Sequence, residues 1–255
     1  MWQADPAGRP PAAEPPPRTA LDALAQGWRL WGRAPLPILV VAWLPLAGSV
    51  LLSLLPGIGG LVSTLASGAL GVVTWLCLDA AARGADAAPG AAFAAAGRRR
   101  PVLLAMALVA LLFGIALALV TAPVAGVPVL QVVLSGLPVG TEPTPRLLQG
   151  ALLVAPIGWL LQWMAPRMLL AGRSAPQAAA DCFAAVARRP ALLLGFAALS
   201  VVLVVLGLLT VVGIGLVLPW LTASSYAVYR GLFEGPAGDG ARVVDGPPRG
   251  TVFEA

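Results

Sequence analysis

Arginine is the residue with the most chemistry to offer in this chain. All sixteen basic side chains are Arg; Lys and His are absent, and there are eleven carboxylates. A guanidinium grips phosphate or carboxylate through paired hydrogen bonds and stays charged at every biological pH. Without His, metal sites and His-activated nucleophiles lose their commonest donor. No Gly-rich loop followed by Lys and Ser or Thr is present to cradle a nucleotide phosphate. Cys77 and Cys182 are the two thiols. At the cytoplasmic face, where we place both, thiols stay reduced, so no disulfide is expected. The chemistry on offer is anion recognition. We read the chain as non-enzymatic, with no cofactor and no bound metal.

The arginines recur in a pattern. Trp28, Arg33 and Pro35 are matched by Phe183, Arg188 and Pro190, each 155 positions later. Phe93, Arg98, Arg99, Arg100 and Pro101 form a third, weaker version. Each time an aromatic residue, one or more arginines and a proline precede a long apolar run. The segments before the prolines look like short amphipathic helices. Thr19 and Asp22 make a capping pair for the first, with Leu21, Leu24, Trp28 and Trp31 on one face. Ser174 and Gln177 cap the second, with Ala179, Phe183 and Val186 along one side. Such helices lie at the headgroups, arginine toward phosphate, and the proline breaks the helix so that the chain can turn into the bilayer. A last group, Tyr226, Tyr229 and Phe233 beside Arg230, closes the final apolar run. The candidate headgroup-binding residues are thus Trp28, Arg33, Arg98, Arg99, Arg100, Arg188, Arg189, Tyr226, Tyr229 and Arg230. The alternative is that they are ordinary interface anchors with no specific ligand.

These residues must be positioned by spanning helices. The chain has 255 residues, is 59% hydrophobic and only 11% charged, whereas soluble domains carry about a quarter of their residues as charges. No charge occurs from Ala34 to Leu78, Pro101 to Thr141, Leu147 to Pro166 or Pro190 to Tyr229. At about 20 residues per crossing, these windows hold six helices, at 36–55, 58–77, 102–121, 147–170, 191–212 and 214–231. The expected fold is an all-α, polytopic transmembrane bundle of six spans in three pairs, with interfacial helices and an internal repeat of 28–78 in 183–233. The segments 1–18 and 234–255 read as disordered tails. Gly-Ile-Gly occurs twice, at Gly57–Gly59 and Gly213–Gly215. Both copies read as tight turns between paired helices, since Gly supplies positive φ cheaply. Residues 123–145 read as an interfacial or a re-entrant segment. Ser63, Ser67 and Gly71 form a small-residue stripe for close packing. Asp79 and Arg167 sit near the inner ends of their helices, where they either pair, face a cavity or reach for the headgroups.

Six crossings put every arginine cluster on one side together with both tails. The positive-inside rule makes that side the cytoplasm. The first apolar run begins near Leu36, too far in for a cleavable signal peptide. The net charge of +5 suits anionic lipid rather than nucleic acid, because the arginines flank apolar segments.

The stretches "QGWRLWGRAPLPILVVAWL", "WMAPRMLLAGRSAPQAAADCFAAVARRPALLL" and "GIGLVLPWLTASSYAVYRGLF" together resemble a family of uncharacterised multi-pass proteins of proteobacterial inner membranes. The resemblance covers roughly residues 25–233, in order. It departs at Arg189, where members of that family often carry Asn before the proline. It implies an inner-membrane helical fold and brings no catalytic residues. Two functional readings follow. One is a membrane-organising or lipid-interacting protein, acting alone, as a homo-oligomer or with a membrane-protein partner. The other is a small-solute transporter or channel component, motivated by the parallel repeat.

Overall fold

Proline sets where the spanning helices begin. A computed structural model describes residues 15–135 and 162–233, and those residues form ten helices and no strand. They are α1 Ala20–Arg33, α2 Pro35–Ser53, α3 Gly59–Ala82, α4 Pro89–Gly97, α5 Arg100–Ala125, α6 Val129–Ser135, α7 Met164–Leu170, α8 Ala175–Arg188, α9 Pro190–Leu208 and α10 Val211–Phe233. Pro35, Pro101 and Pro190 all occupy the first turn of a long helix, where a missing N–H costs nothing. The residue at each break is extended away from helical geometry, with φ and ψ of −142° and 67° at Ala34, −109° and 46° at Arg99, and −135° and 55° at Arg189. Both expected capping boxes form, Thr19 with Asp22 and Ser174 with Gln177.

Five of the helices are long and apolar enough to cross a membrane: Pro35–Ser53, Gly59–Ala82, Arg100–Pro123, Pro190–Leu208 and Val212–Phe233. The protein is a helical membrane bundle. The fourth expected crossing, 147–170, lies largely outside the described residues, which include only its last part, α7. The third crossing is longer than expected and runs through Pro123 to Ala125. Gly126 ends it in the left-handed conformation, and α6 folds back against α3 and α5. Leucines at 104, 108 and 112 stand exposed along α5, a lipid-facing stripe of the kind only a membrane permits.

The two Gly-Ile-Gly segments do not make matching turns. Gly57 has φ +79°, and Gly59 opens α3 where a Cβ would lie 2.5 Å from the Ser53 carbonyl oxygen. Gly213 and Gly215, by contrast, lie inside α10. The reason is three residues upstream. Thr210 accepts a hydrogen bond from the Gly213 N–H at 2.9 Å and so starts the helix early. The residue 155 positions before Thr210 is Leu55, which has no such acceptor, so the first hairpin needs Pro56 and Gly57 to turn.

Close approach, not bulk, joins the helices. A Cβ at Gly68 would lie 2.5 Å from the Met106 carbonyl oxygen of α5. The stripe that matters on α3 is therefore Thr64 and Gly68, since a Cβ at Gly114 would meet the Thr64 methyl at 3.0 Å. The expected Ser63, Ser67 and Gly71 stripe is one residue out of phase, and Gly71 faces open space. Thr74 donates from its hydroxyl to the Val41 carbonyl at 3.1 Å, tying α3 to α2. Gly68→Val should cost about 1–3 kcal/mol, because a backbone oxygen cannot step aside as a side chain can. Gly71→Ala should be neutral or mildly stabilising. Reversible unfolding in mixed micelles, followed by circular dichroism, separates the two.

Candidate functional site

The hairpins place the starts of α2, α5 and α9 and the ends of α3 and α10 at one end of the bundle. The antiparallel contacts of α3 with α5 and the Tyr226–Asp79 bond across α10 and α3 fix this arrangement. No charge occurs in the opposite turns at residues 54–58 and 209–210. The arginine-bearing end is the candidate site.

Two amphipathic helices lead into it, and both are turned differently from the simplest reading. α1 buries Ala20, Ala23, Leu24, Gly27 and Leu30, and α8 buries Ala178, Cys182 and Ala185. Small residues face the protein, because they let backbones approach. A Cβ at Gly27 would sit 2.5 Å from the Ser224 Cα, so α1 rests directly on α10. The Trp220 indole N–H donates to the Leu24 carbonyl at 2.8 Å. Of the face expected to be apolar, Leu24 and Trp31 turn inward, while Leu21 and Trp28 remain outside. The aromatic residues of the three sequence patterns share one fate: Trp28, Phe93 and Phe183 are 55%, 44% and 57% exposed. Trp28 stands edge-on to Trp31 and Trp220, at 5.1 and 5.5 Å between ring centres.

The C-terminal aromatic group goes the other way. Tyr226 and Tyr229 are only 5% and 2% exposed. They pack with Trp75 and Phe233 in a ladder with ring centres 5.1 to 6.3 Å apart. The Tyr226 hydroxyl donates to an Asp79 carboxylate oxygen at 2.9 Å. Asp79 also pairs with Arg83 one helical turn on. These tyrosines are part of the core, not a lid over headgroups.

Asp79 and Arg167 do not meet. Arg167 pairs with Asp181 of α8, its Nε at 3.1 Å, and its guanidinium lies 4.7 Å above the centre of the Phe233 ring. Arg173 joins the same carboxylate at 3.4 Å. The ladder therefore ends in an ion cluster at each extremity. Asp181, Trp75 and Trp220 were not among the sequence candidates; an acid about two turns into the helix that follows Arg167 and Arg173 was the available signal for the first. Arg99 donates to the Leu169 carbonyl, the last turn of α7, where a cation meets the negative end of the helix. Arg98, Arg100 and Arg188 are exposed, and Arg33, Arg189 and Arg230 are half-buried.

The thiols are free and buried. Burial pushes Cys182 up to about 12, with Arg167 pulling down and Asp181 pushing up. Among the described residues, no three His, Cys, Asp or Glu side chains converge as metal ligands. No protein-family model, curated protein or solved structure matches the chain.

Two outcomes follow. Cys182 should resist maleimide in the folded protein even near pH 9, where an ordinary thiol is half ionised, and should label after unfolding. Tyr226→Phe and Asp79→Asn should each cost about 1.5–3 kcal/mol, the usual net for a hydrogen bond to a charged group. In a double-mutant cycle the two losses should overlap rather than add.

Proposed function

We propose that this chain is a bacterial inner-membrane protein that gathers anionic lipid on the cytoplasmic leaflet, with both termini in the cytoplasm. The observation that carries this reading is the outward stance of Trp28, Phe93 and Phe183, each five positions ahead of an arginine and at one end of the bundle. An aromatic ring at the headgroup level with arginine beside it favours anionic lipid by about 1 kcal/mol per cation. The resemblance of the sequence to inner-membrane proteins supports the compartment, and the arginine-free opposite turns support the orientation.

A duplicated unit underlies the site on this reading. The helices α1, α2 and α3 have 14, 19 and 24 residues, and α8, α9 and α10 have 14, 19 and 23. The first two pairs start and end 155 positions apart. Both copies enter from the same side, as a parallel repeat does.

Native mass spectrometry of the purified protein tests the proposal. The wild type should retain phosphatidylglycerol over phosphatidylcholine. Replacing Arg98, Arg100, Arg188 and Arg189 by Gln should lower that preference by about ten-fold or more, given the per-cation figure. Equal retention of both lipids by the wild type, with its topology confirmed by reporter fusions, would overturn it.

A further inference from the structure

The N-terminal strap is not a loose tail. Residues 15–18, expected to be disordered, are packed in place. Pro17 is fully buried, and a Cβ at Gly231 would come within 2.9 Å of its ring. The Gln26 side-chain amide donates to the Pro15 carbonyl at 2.9 Å. The strap thereby forms one wall of a cleft of about 560 Å³, open on one side, whose other wall is the start of α9. Arg18, Arg188 and Arg189 line it, and Pro190, Ala191 and Leu192 supply an apolar floor. That volume is typical of small-ligand sites.

Among the described residues the cleft arginines have no ion-pair partner, for a specific reason. Arg18 and Arg173 stand 155 positions apart, each directly ahead of a capping residue, Thr19 or Ser174. Arg173 spends its charge on Asp181. The residue at the corresponding place in the first copy is Gln26, which is neutral and is used to hold the strap. None of the three cleft arginines makes an ion pair among the described residues. Arg18 only helps to lower the pKa of Asp22, whose main partner is Thr19. Three like charges around one cavity repel one another, and an anion between them relieves that repulsion.

We propose that this cleft is a discrete phosphate-binding site built from both halves of the chain, which rests on the lipid reading above and narrows it to one place. Arg18, Arg188 and Arg189 would hold the phosphate. The apolar floor continues into the spanning helix α9, so a phospholipid can keep its headgroup on the arginines and its glycerol and first acyl carbons on Ala191 and Leu192. A free phosphate would use the arginines alone.

The test uses the full-length protein in mild detergent. Native mass spectrometry should find one tightly held phosphatidylglycerol per chain. Arg18→Gln should weaken it about ten-fold or more, as expected for one charge-assisted hydrogen bond. Gln26→Asp should do the same, because the new carboxylate gives Arg18 a partner and, being an acceptor only, also loses the bond to the Pro15 carbonyl that ties the strap; Arg18→Gln, which leaves that bond intact, isolates the charge. Arg98→Gln with Arg100→Gln should leave this single lipid in place. If lipid persists undiminished in Arg18→Gln and in Arg188→Gln with Arg189→Gln, yet falls in the Arg98 and Arg100 variant, the cleft is refuted while the broader lipid reading stands. If the wild type holds no lipid but inorganic phosphate raises its melting temperature, and Arg18→Gln abolishes that rise, the lipid reading fails and the cleft stands as a site for soluble phosphate. Neither lipid nor phosphate distinguishing Arg18→Gln from wild type overturns the proposal.

Discussion

Hydrocarbon gives an oily helix no reason to prefer another oily helix over lipid, and gives a guanidinium nowhere to go. Both consequences are visible here. Helices meet where a side chain is missing, at Gly27 on Ser224, Gly68 on Met106 and Gly59 on Ser53. Thr74 spends its buried hydroxyl on the Val41 carbonyl of the neighbouring helix. Among the described residues, arginine is kept to one end of the bundle. The packing and the charge distribution are two responses to the same solvent, and the candidate site lies where the second response concentrates what the first excludes.

The halves of the chain are joined at that same end. Trp75 from α3 and Tyr226 and Tyr229 from α10 interlock, and Asp79 meets the Tyr226 hydroxyl. Rings this size supply contact area with few rotors to freeze. At this end of α3 the Asp79 carboxylate is met by both the Tyr226 phenol and the Arg83 guanidinium. The aromatic ladder then ends on Arg167, stacked on Phe233 and paired with Asp181. The residues that looked like a headgroup belt in the sequence thus form the joint, and the exposed rings that face outward are those of the lead-in helices.

Some of this was legible in the residues alone. Length without charge announced the spanning helices, and proline after arginine announced where they start, because both follow from local chemistry. Both capping boxes are local too and formed as written. What failed was anything depending on which neighbour a helix meets. The faces of α1 and α8 were assigned by size, whereas the bundle selected small residues for contact and left Trp28 and Phe183 outside. Gly213 looked like Gly57, but a hydroxyl at Thr210 with no counterpart at Leu55 moved the turn. Arg167 found Asp181 rather than Asp79 because α8 folds back over α7, a contact no spacing rule encodes.

The differences between the two matching triplets matter more than their likeness. A symmetric pair of units would neutralise both copies of the arginine that precedes the cap, or neither. Here Asp181 neutralises one, and Gln26 leaves the other while tying down the strap that carries it. Position 189 adds a second divergence, since the residue 155 places earlier is Ala34. Both changes leave charge in the same cleft, from its opposite walls. α1 leans across onto α10 rather than staying with its own α3, and this brings Arg18 to the start of α9. One early segment thereby supplies both the wall and a third of the cationic lining. Residues that merely anchored a helix at an interface would need no such convergence; two arginine positions at the start of α9 facing a third from the far end of the sequence is the geometry of a container.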